Sequence, residues 1–341
     1  MERIQQSSTP RPVMLVNQPE MNPVPAYQVI PTIQKPQNNL PFIEANTKEV
    51  ELSHLTDDCI IPVFSKDNEV TISHQSFIDT MLSAAQEVFP RESISDPSIR
   101  VSHVVKGRIP EAIHKPVSQL LETDKTIYYE RMMFCFEIPT IYQDIDGCRL
   151  NLTIGGVRAY NEQNLYARKS PEKFKIFIGF KNMVCCNLCV STDGYKSSLR
   201  VMDTEAMLSA AAELFRSYDM EKHLSIMSAY RECTMSESQF AQFLGKCRLY
   251  QYLPSAQKKQ LPEILLTDTQ IGLVAKSYYD DPDFGRDERS IDLWRVYNLF
   301  TGSNKSSYID NFLDRANNAS NLTTGLARAL HGDEEYRWFL G

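Results

Sequence analysis

No run in this 341-residue chain approaches the roughly 18 consecutive apolar residues that a membrane-spanning helix requires, so a helical membrane protein is not expected. Positive charge is in short supply. Lys plus Arg is 36 against 43 for Asp plus Glu, giving a net charge of −7 and a pI near 5.5, which excludes a strongly cationic nucleic-acid coat. Glycine numbers 13, too few for a collagenous chain. The opening residues, MERIQQSSTPRPVMLVNQPE, hold no apolar core of an export signal, so the expected compartment is the cytoplasm. Without a secretory route, the sequons at Asn151, Asn304, Asn318 and Asn321 are chance matches. There is no Gly-x-Ser-x-Gly elbow, no His-Glu-x-x-His pair and no complete P-loop, so catalysis has no motif behind it and no cofactor is expected.

What is present is the composition of a soluble globular protein, 42% hydrophobic and 23% charged. Eight of the 18 prolines fall in the first 41 residues beside Gln and Asn, so residues 1–46 read as an extended tail that buries too little to offset its backbone entropy. Residues 47–201 read as strand-rich with one embedded helix, Ser76 to Phe89, whose Phe77, Ile78, Met81, Leu82, Ala85 and Val88 form an apolar stripe ended by Pro90. Strand patterns follow at Ile99 to Val105, Tyr128 to Ile138, Arg149 to Ile154 and Phe174 to Phe180. Asp146-Gly147 between two of them is a hairpin-type dipeptide. Residues 202–341 change to the helical period, with capping boxes at Ser236/Gln239 and Thr267/Gln270 and a last helical pair around Thr301-Gly302-Ser303. The expected fold class is α+β, an antiparallel sheet with its embedded helix in the N-terminal half and a helical C-terminal half packed on it.

Eight cysteines invite a metal or disulfide reading, but a chain this long buries a core without staples and reduced thiols fit the expected compartment. Cys185, Cys186 and Cys189 contain a Cys-x-x-Cys spacing. On a strand Cys186 faces away from the other two, no second knuckle exists, and no metal site is assigned. The six histidines are scattered and show no partner. Asp281 to Glu288 resembles a calcium loop, but its glycine is misplaced and a solvated acidic loop accounts for it.

The informative stretch is electrostatic. From Arg149 to Arg200 nine cations stand against three anions, so this segment is +6 and the remainder of the chain −13. Strand alternation puts Phe174, Ile176, Ile178 and Phe180 on one face and Lys173, Lys175, Phe177 and Lys181 on the other. Cations flanking an aromatic on a sheet face are what single-stranded nucleic acid uses, charge following the phosphates and a ring stacking on a base. The expected contacts are Arg158, Arg168, Lys169, Lys173, Lys175 and Lys181 to phosphate and Phe177 to a base. The bland alternative is an ordinary exposed sheet face whose lysines discourage aggregation. Asn182, Cys185 and Asn187 beside this strand read either as a polar contact cluster or as a strand turn whose amides bond nearby backbone.

Several ordered blocks carry a family resemblance. FIEANT, LSHL, CIIPVFSKDNEVTISH, IRVSHVVKGRIPEAIHKP, TIYYERMMFCFEIPTIY, LNLTIGGVRAYN, FKIFIGFKNMVCCNLCVSTDG, SQFAQFLGKCRLYQYLP and NKSSYIDNFLDR resemble the bacterial family called domain of unknown function 3871. A weaker similarity, through Gly179 to Leu188, Trp294 to Thr301 and Asp310, extends to the phage and plasmid family called domain of unknown function 932. The resemblance implies a cytoplasmic protein of conjugative elements, plasmids or phages and brings no established catalytic residues. The resulting expectation is a non-enzymatic, DNA-associated protein that engages single-stranded DNA. The alternative is an acidic protein-interaction module, acting against host defence or in transfer regulation, without nucleic-acid contact.

Overall fold

A computed structural model describes residues 40–59, 71–106, 108–112, 114–125, 128–160 and 171–341. A seven-stranded antiparallel sheet organises the first half of them. Its order is β1 (Thr47–Val50), β2 (Ser98–Ser102), β5 (Met132–Ile145), β6 (Cys148–Arg158) and β7 (Glu172–Asn182), with β8 (Leu188–Cys189) and β9 (Tyr195–Val201) both pairing β7. Strands β3 (Val105–Lys106) and β4 (Tyr128–Tyr129) form a separate short ribbon. The β5–β6 hairpin closes on Ile145 and Cys148 through Asp146 and Gly147, at φ 52° and 75°. Positive φ at both central residues is the two-residue turn whose twist matches that of the strands, as the Asp-Gly dipeptide implies.

Helix α1 (Leu52–Asp57) follows β1, and α2 (His74–Val88) is the expected embedded helix. The Ser73 hydroxyl caps α2 by accepting from Ser76 N–H at 2.9 Å. Its buried Phe77, Ile78, Met81, Ala84 and Ala85 face the sheet, and the Phe77 ring lies 5.2 Å from Phe134 and 4.7 Å from Phe174. Helix α3 (Thr204–Ser217) adds Met207, Ala211, Leu214 and Phe215 to the same core.

Then come α4 (Met220–Ala229), α5 (Glu237–Tyr252), α6 (Ser255–Lys258), α7 (Asp268–Asp280), α8 (Leu293–Asn304) and α9 (Ile309–Leu330). The short strands β10 (Thr234–Ser236) and β11 (Ser290–Asp292) pair with each other. Both expected capping boxes are formed, at the starts of α5 and α7. Helix α8 runs unbroken through Thr301-Gly302-Ser303, so the break between the last two helices falls at residues 305–308 instead.

Both faces of the sheet are covered. Phe134, Phe136, Phe174, Ile176, Ile178 and Phe180 share one core with α2, α3 and the helices of the second half. Met133, Cys135, Val157 and Phe177, on the opposite face, pack against Ile309, Phe312, Leu313 and Ala316 of α9. Phe42 and Ile43 complete this second cluster, 2% and 0% exposed, and the Glu44 and Ala45 N–H groups donate to Lys305 O at 2.9 and 3.2 Å. The tail expected over residues 1–46 is therefore too long: the chain is packed and hydrogen-bonded by residue 42, because two apolar side chains fill the space beside α9. Residues 1–39 of that tail lie outside the described residues.

Candidate functional site

Strand β7 is buried on the face expected to meet DNA. Phe177 is 0% exposed inside the cluster beneath α9, so no ring face is open to a base. Arg158, also fully buried, donates to Glu172 Oε2 and Ile72 O, and its guanidinium lies 4.5 Å from the Tyr160 ring centroid and 4.6 Å from that of Phe174. Lys175 donates to Asp314 Oδ2 at 2.8 Å and to Asp310 O, both on α9. Lys181 donates to Glu137 Oε1 at 2.8 Å, and Glu137 Oε2 accepts from Asn151 Nδ2 at 2.8 Å. These cations hold the fold, each matched by a carboxylate from elsewhere in the chain. Lys173 is half-buried opposite Arg200 of β9, and Arg168 and Lys169 lie outside the described residues.

The Asn182–Cys189 turn serves structure in the same way. Asn182 Nδ2 donates to Asn298 Oδ1 at 3.1 Å while its Oδ1 accepts from Val184 N–H at 2.9 Å. Asn187 Nδ2 donates to Asn298 O at 3.0 Å. Cys186 takes a left-handed φ of 58°, and Lys305 donates to Cys185 O. The turn is thereby locked to α8, bringing Gly179 to Leu188 against the Trp294 to Thr301 segment. Cys185, Cys186 and Cys189 do not form a ligand group. Among the described residues the metal-type trio that converges is His54, Cys59 and Glu130.

Between β9 and α9 lies a polar cleft of about 560 Å³. Its amides are largely used: Thr192 Oγ1 donates to Asn317 Oδ1 and Asn321 Oδ1, each at 3.0 Å, and Asn318 bonds Leu265 N–H and Glu263 O at 2.8 Å each. Glu263, Arg315 and Asp314, the last paired with Lys175, line it as well.

An apolar groove of about 360 Å³ runs between α5 and α7. Phe240, Leu244, Ile271 and Tyr278 form its buried floor, while Gly245 and Gly272 open its sides. A Cβ built on either glycine meets nothing within 4 Å. Leu249, Tyr252, Leu273 and Tyr279 stand exposed on the same two helices, at 60%, 79%, 39% and 60%. Glu237 marks one end, held by Tyr279 Oη at 2.8 Å, and Arg248 the other, forked onto Asp268 at 2.7 and 3.0 Å. Sequence reasoning passed over this groove. Its one signal was a glycine in the interior of each helix, where glycine costs about 1 kcal/mol relative to alanine.

No described helix is long and apolar enough to cross a membrane. No curated protein and no solved structure matches the chain. A family model described as "Domain of unknown function, B. Theta Gene description (DUF3871)" matches residues 25–340. That span takes in the whole sheet, the α5–α7 groove and α9, and the chain belongs to the DUF3871 family.

Proposed function

We propose that the chain is a protein-interaction module that receives an amphipathic helix of a partner protein in the α5–α7 groove. The observation carrying this reading is the placement of Gly245 and Gly272 over an apolar floor, where no contact within the chain excludes a side chain. Glycine there lets a second backbone approach closely, and the apolar floor receives the hydrophobic ridge of a docked helix. Tyr279 at the groove and the exposed Leu249, Tyr252 and Leu273 add apolar surface to the same two helices. The reading of the basic strand as a single-stranded DNA site is disfavoured by the burial of Phe177 and by the carboxylate partners of Arg158, Lys175 and Lys181.

The test is selection of helical peptides from a displayed library on the wild-type chain, with a Gly245→Leu/Gly272→Leu double variant for counter-selection. The double variant is expected to fold, because both sites are open, and to bind selected peptides at least tenfold more weakly. Peptides that bind both chains equally, or no peptides at all, would overturn the reading. Anisotropy of labelled single- and double-stranded DNA across salt runs beside it. Saturable single-strand binding that weakens linearly in log salt would return the function to nucleic acid.

A further inference from the structure

Away from the groove, at the junction of α1 with the start of β5, ionisable groups converge without a role in either reading. Glu130 sits between β4 and β5 with its side chain only 4% exposed. His54 Nε2 lies 2.8 Å from Glu130 Oε2, and the Cys59 thiol reaches toward the same carboxylate. One ligand atom from each of the three residues lies within 4.8 Å of the other two. On its far side His54 Nδ1 lies 3.9 Å from Oδ2 of the exposed Asp58, beyond hydrogen-bond reach. Local sequence builds half of this group: Cys59 N–H donates to His54 O at 2.6 Å, so the chain leaving α1 curls back and returns the thiol to the imidazole.

A second observation is independent of the trio. His74, at the start of α2, is 0% exposed, and neither ring nitrogen has a hydrogen-bond partner. Burial and then the Arg158 charge hold this imidazole neutral, opposed by a contact to the Glu130 main chain. The ring packs on Tyr160, centroids 5.5 Å apart, and the Tyr160 hydroxyl is also buried without a partner. Buried imidazole and phenol groups are ordinarily satisfied, and here both are left over beside the Arg158 guanidinium and the Glu130 main chain.

The geometry points to a divalent metal site of the zinc type, with His54 Nε2, Cys59 Sγ and one Glu130 carboxylate oxygen as ligands. Nitrogen, thiolate and carboxylate together suit zinc over calcium or magnesium, which take oxygen, and three protein ligands leave a fourth position for water or another donor. Zinc–ligand bonds of about 2.0–2.3 Å fit within the observed spread after small side-chain rotations, with the ion replacing the proton between His54 and Glu130 and the Cys59 thiol proton released to solvent. Lys48, 3.4 Å from Glu130 Oε1, is the competing cation, and its 55% exposed side chain is free to swing into solvent. A bound ion would clip α1 to the sheet through residues more than seventy positions apart in sequence.

The experiment uses the full chain after chelator treatment, titrated with zinc alone against a competing indicator and with cobalt as a spectroscopic stand-in. One equivalent of metal should bind, and the cobalt form should show a thiolate charge-transfer band and the visible bands of a tetrahedral ion. Cys59→Ser should abolish the charge-transfer band. His54→Gln should weaken binding by at least about tenfold, the scale attached even to losing an outer-shell contact. Cys59 and His54 are only partly buried, so both variants should retain the wild-type circular dichroism spectrum. A Cys185→Ser/Cys186→Ser/Cys189→Ser variant should bind as the wild type does. Failure of folded wild-type chain to take up an equivalent of metal would overturn the assignment. So would uptake indifferent to Cys59→Ser and His54→Gln but lost in the triple cysteine variant.

Discussion

Removing the Lys181 ammonium would strand the Glu137 carboxylate in a site where its side chain is 13% exposed and its nearest cation is gone. Breaking one member of such a buried pair costs about 3–5 kcal/mol, because the remaining charge is left uncompensated. Lys181→Met should therefore lower unfolding free energy by that amount in urea denaturation. Adding Glu137→Leu should recover part of it, less what is lost when Asn151 Nδ2 forfeits its acceptor. A loss below about 1 kcal/mol would class the pair with solvent-screened surface bridges. The same arithmetic affects how a DNA-binding defect is read. Neutralising Lys175 and Lys181 would weaken any binding by disturbing α9 and β5, so a charge variant here cannot by itself locate a phosphate contact.

At the scale of helices and strands, the groove makes two opposed demands on α5 and α7. Gly245→Ala and Gly272→Ala should each raise stability by about 0.5–1 kcal/mol, since the methyl group meets nothing and helix propensity improves. Together they should raise the thermal midpoint while beginning to narrow the groove. A fall in stability would show that the glycines serve internal packing and would remove the argument that they are kept for a partner. Much of this architecture was legible beforehand. The apolar stripe of α2, the Asp146-Gly147 hairpin and both capping boxes are written in local residue order, where a few neighbouring side chains decide the outcome. The second face of β7 was not. Alternation correctly grouped Lys175, Phe177 and Lys181, but whether a helix covers them depends on Ile309, Phe312 and Asp314, more than 125 residues away. A lysine on such a face looks the same in sequence whether it reaches water or a buried carboxylate. The His54, Cys59 and Glu130 group was hidden for the same reason, since no short spacing joins residue 130 to the other two.

For the molecule as a whole, the shared core decides how it responds to acid. His223 of α4 is 2% exposed, its Nδ1 lies 2.6 Å from the Tyr218 hydroxyl and its ring packs 5.8 Å from Phe180, where β7 meets the helical half. Burial lowers its pKa from the usual 6.5 to about 4, and the Asp193 charge only partly opposes this. Between those two values the unfolded chain takes up a proton that the folded chain refuses. The contribution of neutral His223 is thus complete above about pH 6.5 and declines as pH falls toward 4, at about 1.4 kcal/mol per unit. Wild type should therefore lose about 2 kcal/mol more than His223→Gln between pH 7 and pH 5, measured by urea unfolding at each pH. Glutamine can still hydrogen-bond Tyr218 but cannot titrate, so the comparison isolates protonation from packing. Parallel losses in the two chains would mean that His223 is hydrated or rearranges in the folded state. Losing His223 neutrality loosens α4 against the sheet, so hydrogen exchange at mildly acidic pH should open first at the junction of α4 with Phe180 of β7.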